Sequence, residues 1–142
     1  MDNHQPEIAF TSLPKELDQI RIINLLSRIA RDHEMVLGSL SYNFVPREKI
    51  IEINKAYLDH HYSTDIITFD YVRGALVSGE VFICPDEVLE NAAHYGVEHD
   101  DELIRVIVHG LLHLVGFGDK SEKEKMLMRQ KEDTYIRIWK EM

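Results

Sequence analysis

Residues 102–116, "ELIRVIVHGLLHLVG", constrain the fold more than any other stretch of the chain. On a helix, residues three or four apart share a face, so Glu102, Arg105, His109 and His113 form one polar stripe while the other faces carry Leu, Ile and Val. A helix this apolar is stable in water only when other elements cover most of its circumference. The fold must therefore build layers around a central helix and leave one polar edge facing solvent or a cleft.

The rest of the chain supplies those layers. "EIAFTS" (7–12) reads as a short strand. Residues 12–33 read as a helix, with Ser12 and Pro14 as start signals and Leu17, Ile20, Ile23, Leu26 and Ile29 as its apolar stripe. "MVLGSLSYNFV" (35–45) alternates as a strand does, and residues 46–58 form a helix opened by Pro46. The β-rich runs 65–71 and 76–84 join through Arg73 and Gly74 as a hairpin. A helix over 85–96 ends at Gly96, the central helix follows, and a last helix spans 121–140. That last helix opens with the capping-box pair Ser121 and Glu124 and carries the stripe Met128, Tyr135, Trp139 and Met142.

The order β-α-β-α-β-β-α-α-α predicts an α/β (α+β) fold, with a mixed sheet of about four strands packed by helices. No repeat or Gly-, Pro- or Ser-rich linker divides the chain, so residues 1–142 are expected to form a single compact domain.

Charge and cysteine usage narrow the function classes. With 16 Lys+Arg against 25 Asp+Glu, the net charge is -9, which argues against a broad electrostatic grip on nucleic acid. The cluster Arg21, Arg28 and Arg31, and a second one formed by Lys120, Lys123, Lys125, Arg129 and Lys131, read as solvated helix faces. Cys84 is the single cysteine, so no intramolecular disulfide forms; a buried structural thiol in a reducing compartment is expected. The opening "MDNHQPEIAF" lacks the basic and apolar regions of a secretory leader, and no apolar run is long enough for a membrane span. A soluble cytoplasmic protein without membrane partners is the expectation.

The polar stripe carries the chemistry. His109 and His113 are followed by Gly116 and Gly118, which are expected to end the helix in a left-handed turn and bring Asp119 back toward the imidazoles. Two imidazoles and one carboxylate with a fourth position open to water match a catalytic zinc site rather than a closed structural one. With 8 histidines in the chain, the four-residue spacing alone is close to chance; the glycines and Asp119 give it weight. The zinc-peptidase motif places its glutamate base directly after the first histidine, where this chain has Gly110. Peptide hydrolysis is therefore disfavoured, whereas water acidified by a metal can attack a phosphodiester without that glutamate.

Other residues read more plainly. His60, His61 and Asp65 in "DHHYSTD" offer a second metal set, but a polar loop explains them better, with Thr64 and Asp65 turning into the next strand. His94 and His99 flank Gly96 in a surface connection. Tyr57, Phe69 and Phe82 are expected in the core, as are Tyr42 and Phe44, for which base stacking is the alternative.

The segment "VIVHGLLHLVGFGD" is similar to the His-Gly-x-Leu-His-Leu-x-Gly-Tyr-Asp-His signature of the YbeY family, bacterial single-domain metallo-endoribonucleases of ribosomal RNA maturation. "INKAYLDHHYSTDIITFDY" resembles the family's Asn-x-x-Tyr-Arg-x-x-Asp-x-Pro-Thr-Asp-Val-Leu-Ser-Phe segment, and "SGEVFICPDEV" its Gly-Asp-Ile-x-Ile strand. The three blocks keep the family's order. The resemblance implies one zinc per chain held by His109, His113 and the residue at the signature's last position. It also implies endonucleolytic cleavage of single-stranded RNA in small-subunit rRNA 3′-end maturation and ribosome quality control. Ribosomal RNA and the small subunit, or a protein associated with it, are the implied partners.

Two positions depart from the pattern. The last ligand position holds Asp119 instead of histidine, and carboxylate oxygen is an acceptable zinc ligand. The family arginine after the tyrosine is Leu58 here; Arg105 and Arg73 are the candidate replacement cations, with Arg105 the candidate catalytic side chain beside the metal and its water. The competing readings are a metallopeptidase-like hydrolase and a ribosome-assembly binding factor with a structural zinc.

Overall fold

The computed structural model describes residues 6–58 and 63–142. Four strands, β1 (Glu7–Thr11), β2 (Val36–Phe44), β3 (Ile66–Asp70) and β4 (Leu76–Ile83), form one sheet in the order β1-β2-β4-β3. β1 and β4 both run parallel to β2, and β3 pairs antiparallel with β4. The β3–β4 hairpin turns at Gly74, whose φ of 58° favours a residue without a side chain. Five helices complete the fold: α1 (Gln19–Asp32), α2 (Arg47–Tyr57), α3 (Pro85–Tyr95), α4 (His99–Val115) and α5 (Glu122–Glu141). Class and element order match the sequence expectation.

The apolar α4 is the hub. It lies on the β3 and β4 side of the sheet with α1 beside it over β2, and α3 and α5 cover its flanks. Leu26 and Ile29 of α1, Tyr42 of β2, Val81 of β4, Ile107 and Leu111 of α4, and Trp139 of α5 share one buried core. The Tyr42 hydroxyl donates to the Ile107 carbonyl at 3.0 Å, so its one polar atom is satisfied in that core. α2 covers the opposite face, where Ile50 and Ile53 pack with Ile67 and the buried Cys84.

Two glycines set how closely α4 approaches the sheet. A Cβ on Gly110 would stand 3.1 Å from Ile66 Cδ1 and 3.3 Å from Val81 Cγ1. On the strand side, a Cβ on Gly79 would stand 2.6 Å from the Phe69 carbonyl oxygen and 3.0 Å from Leu114. Position 110 therefore points into the sheet, and a glutamate placed there would be buried among aliphatic side chains. β2 keeps both Leu37 and Leu40 inside through a register shift against β4, a bulge that resets the inward alternation.

Several boundaries and faces differ from expectation. α1 starts at Gln19 rather than near Ser12, because Asp18 caps it through the Arg21 amide (3.2 Å). Ser12 takes φ 58° and Pro14 sits in a preceding turn that Leu17 closes. The buried α1 stripe is Ile22, Leu25, Leu26, Ile29 and Ala30, and Ile20 is 73% exposed. Tyr57, expected in the core, is 70% exposed, and Phe69 and Phe82 are half-buried beside it over α2's cluster. Met142 lies outside the α5 stripe and is exposed. Arg21 leaves its expected solvated face to stack over the Trp139 ring. Among the described residues, no helix is long and apolar enough to cross a membrane.

Candidate metal centre

The polar edge of α4 opens into a cleft of about 410 Å³, bounded by the start of β3, by α3 and by α5. His109 stands on its wall between two carboxylates. Its Nδ1 donates to Glu132 of α5 at 2.7 Å, and its Nε2 lies 3.4 Å from an Asp119 carboxylate oxygen. An ionised carboxylate only accepts, so the Glu132 bond places the proton of a neutral His109 on Nδ1. Nε2 then presents its lone pair toward Asp119, another electron-pair donor. Two ligands bound to one tetrahedral zinc at about 2.05 Å stand about 3.3 Å apart. The 3.4 Å spacing and the donor chemistry of this pair both fit such an ion.

Asp119 reaches this place through local backbone signals. Gly116 caps α4 in a left-handed conformation (φ 119°), its amide bonding back toward the His113 and Leu112 carbonyls. Gly118, expected to share that role, has no positive φ; a side chain there would collide with the Glu124 carboxylate. Glu124 accepts from the Ser121 amide (2.9 Å) and the Lys120 amide (3.2 Å), while Ser121 Oγ accepts from the Glu124 amide (3.1 Å). This capping box ties down the chain immediately after Asp119 and commits the Glu124 carboxylate to α5.

Behind the histidine sits an ion-pair network. Arg105 donates to Glu132 at 3.0 Å and to Asp133 at 2.8 Å, and lies 3.8 Å from Glu102. Arg105 thus orients the carboxylate that orients His109. Burial acts to lower the His109 pKa, but the Glu132 hydrogen bond and the charges of Glu132, Asp119 and Asp65 outweigh it and the net shift is upward. Burial raises the Asp65 carboxyl, with the His109 charge working against the shift. It also raises Glu102, against the pull of Arg105.

The arrangement joins some expected residues and not others. His109 and Asp119 meet, and Arg105 lines the same cleft. His113 lies one helical turn beyond His109 and is exposed; among the described residues, no group of three or more His, Cys, Asp or Glu side chains is gathered as a metal cage. Arg73 sits at the hairpin turn, at the opposite end of β3 from the cleft, and is thereby removed as a replacement cation. Leu58 caps the C-terminus of α2. Of the second set, His60 and His61 lie outside the described residues, while Asp65 lines the same cleft as His109.

Sequence reasoning missed Glu132. It is 6% exposed and falls between Met128 and Tyr135 on the buried α5 stripe, and a carboxylate interrupting an apolar stripe is the signal that marks it.

Comparison with known proteins identifies the family. The family described as "Endoribonuclease YbeY" matches residues 2–140. An Endoribonuclease YbeY of Bacteroides thetaiotaomicron is 45% identical over 108 residues, 76% of this chain and 79% of the relative. The Endoribonuclease YbeY of Azobacteroides pseudotrichonymphae is 42% identical over 129 residues, covering 89% and 93%. The solution structure of a Thermotoga maritima protein superposes with a TM-score of 0.69 at 25% identity, over 96% of this chain and 91% of that one.

Proposed function

This chain belongs to the YbeY endoribonuclease family, and from that premise we propose a zinc-dependent endoribonuclease that trims single-stranded ribosomal RNA at the 3′ end of the small subunit and serves ribosome quality control. Residues 1–142 act as one catalytic unit, working in the cytoplasm with the small subunit or a protein associated with it. The observation that carries the metal reading is the 3.4 Å approach of His109 Nε2 to Asp119, with Glu132 holding Nδ1 at 2.7 Å.

His109, His113 and Asp119 would hold one zinc. When bound, zinc polarises a phosphoryl oxygen and acidifies water at the site. Glu132 keeps the His109 proton on Nδ1, so Nε2 stays free to bind, and Arg105 keeps Glu132 in place. Asp65, raised by burial, gives the cleft a carboxyl that holds its proton to higher pH than an exposed aspartate. Position 110 offers no base, because its side chain would point into the sheet.

Elemental analysis together with an RNA-cleavage assay tests the reading. About one zinc per chain is expected, lost together with metal-dependent cleavage in His109→Ala and His113→Ala; loss of a direct ligand should weaken binding by more than the roughly 10–100-fold of an outer-shell change. Full metal retention by both variants would reject the ligand set, and a zinc-loaded parent inert on every single-stranded RNA would reject the activity.

A further inference from the structure

We infer that Arg129 is the phosphate-positioning residue of this cleft, an inference that rests on the endoribonuclease reading above. A phosphodiester substrate is anionic and needs a cation at the cleft to receive it. The cleft itself is unfavourable to an anion. Asp65, Glu102, Asp119 and Glu132 line it against two guanidiniums, Arg105 and Arg129.

The two arginines are not equivalent. Arg105 is committed to Glu132, Asp133 and Glu102, and its fork is saturated by carboxylates. Arg129, among the described residues, forms no hydrogen bond or ion pair, although it lines the cleft and its side chain is exposed. Its charge nevertheless reaches into the site, since it is one of the influences drawing the Glu102 carboxyl downward against burial. The placement follows from α5. Arg129 precedes Glu132 by three residues, so the two lie on neighbouring positions of one helix face, and Glu132 holds His109. A guanidinium lining the same cleft as that histidine is always charged and presents a planar fork that matches two non-bridging phosphate oxygens. Arg129 therefore receives the phosphate next to the scissile position.

The test compares parent, Arg129→Ala, Arg129→Lys and Lys123→Ala, all zinc-loaded. One arm measures binding of a labelled, nuclease-resistant 2′-O-methyl oligoribonucleotide by anisotropy across a salt series, and the other measures kcat and KM on cleavable RNA. Arg129→Ala should weaken binding about tenfold at low salt and lower the salt slope by about one ion. Zinc content and thermal midpoint should stay at parental values, because Arg129 is exposed and unpaired among the described residues. Arg129→Lys should recover part of the affinity, having charge without the fork. Lys123→Ala removes the same charge elsewhere on the exposed surface of α5 and should bind as the parent does. Parental binding and KM in Arg129→Ala would overturn this inference alone. An equal loss in Lys123→Ala would also overturn it, by showing a bulk-charge effect. A zinc-loaded parent that neither binds nor cleaves RNA would overturn the functional reading and this inference with it.

Discussion

At the scale of single residues, Asp119 is the departure from the family signature that changes the chemistry most. As a zinc ligand in place of imidazole, its carboxylate would lower the charge of the site by one, favouring retention of a cation and disfavouring ionisations nearby. Asp119→Ala should lose zinc by elemental analysis. Asp119→His should keep it and move the pH–rate profile toward lower pH; an unchanged profile in a zinc-loaded Asp119→His protein would reject the charge argument. Glu132 acts through His109. Because its hydrogen bond and charge lead the influences that overcome burial, ahead of Asp119 and Asp65, Glu132→Gln should move the His109 titration to lower pH, read by NMR on the metal-free protein. The sign for stability follows. A histidine raised in the folded state stabilises the metal-free protein below its unfolded pKa, and the contribution is lost as pH rises through the folded value. Glu132→Gln should also reduce zinc affinity by roughly 10–100-fold; an unaltered His109 titration would show that Glu132 does not control that imidazole.

At the scale of elements, the seam between α4 and the sheet decides what the histidine helix can carry. Gly110 fits against Ile66 and Val81 with little room, which gives a physical reason for the missing peptidase glutamate. Gly110→Glu should cost at least about 3 kcal/mol in a denaturant titration, because it buries an unpaired carboxylate among aliphatic groups. A cost below about 1 kcal/mol would mean that the seam opens easily. Gly110→Ala is a closer balance. The helix gains roughly 1 kcal/mol from replacing glycine, while crowding costs a similar amount. The loop after α4 works on the same scale: the left-handed Gly116 turns the chain, and the Ser121–Glu124 box fixes the start of α5, so Asp119 is held from both directions.

At the scale of the whole molecule, a net charge of -9 sets the terms of RNA binding. Free RNA should bind weakly and ever less as salt rises. Tight binding of arbitrary RNA at physiological salt would contradict this expectation. Local sequence signals determined a great deal of the molecule. The apolar circumference of residues 102–116 dictated a buried central helix, the period-two and period-3.6 patterns dictated nine elements in order, and the glycine after Val115 dictated a stop that returns Asp119 toward His109. Each of these depends on neighbours within a few residues, where spacing and conformational preference act directly. Long-range packing decided the rest. Glu132 became the partner of His109 across 23 residues, Gly110 was turned into the sheet rather than the cleft, Arg105 was taken up by Glu132 and Asp133, and Arg129 was left facing the cleft. Those outcomes depend on how α5 and the sheet dock on α4, and side-chain spacing along one helix carries no information about which side chain of another helix will meet it.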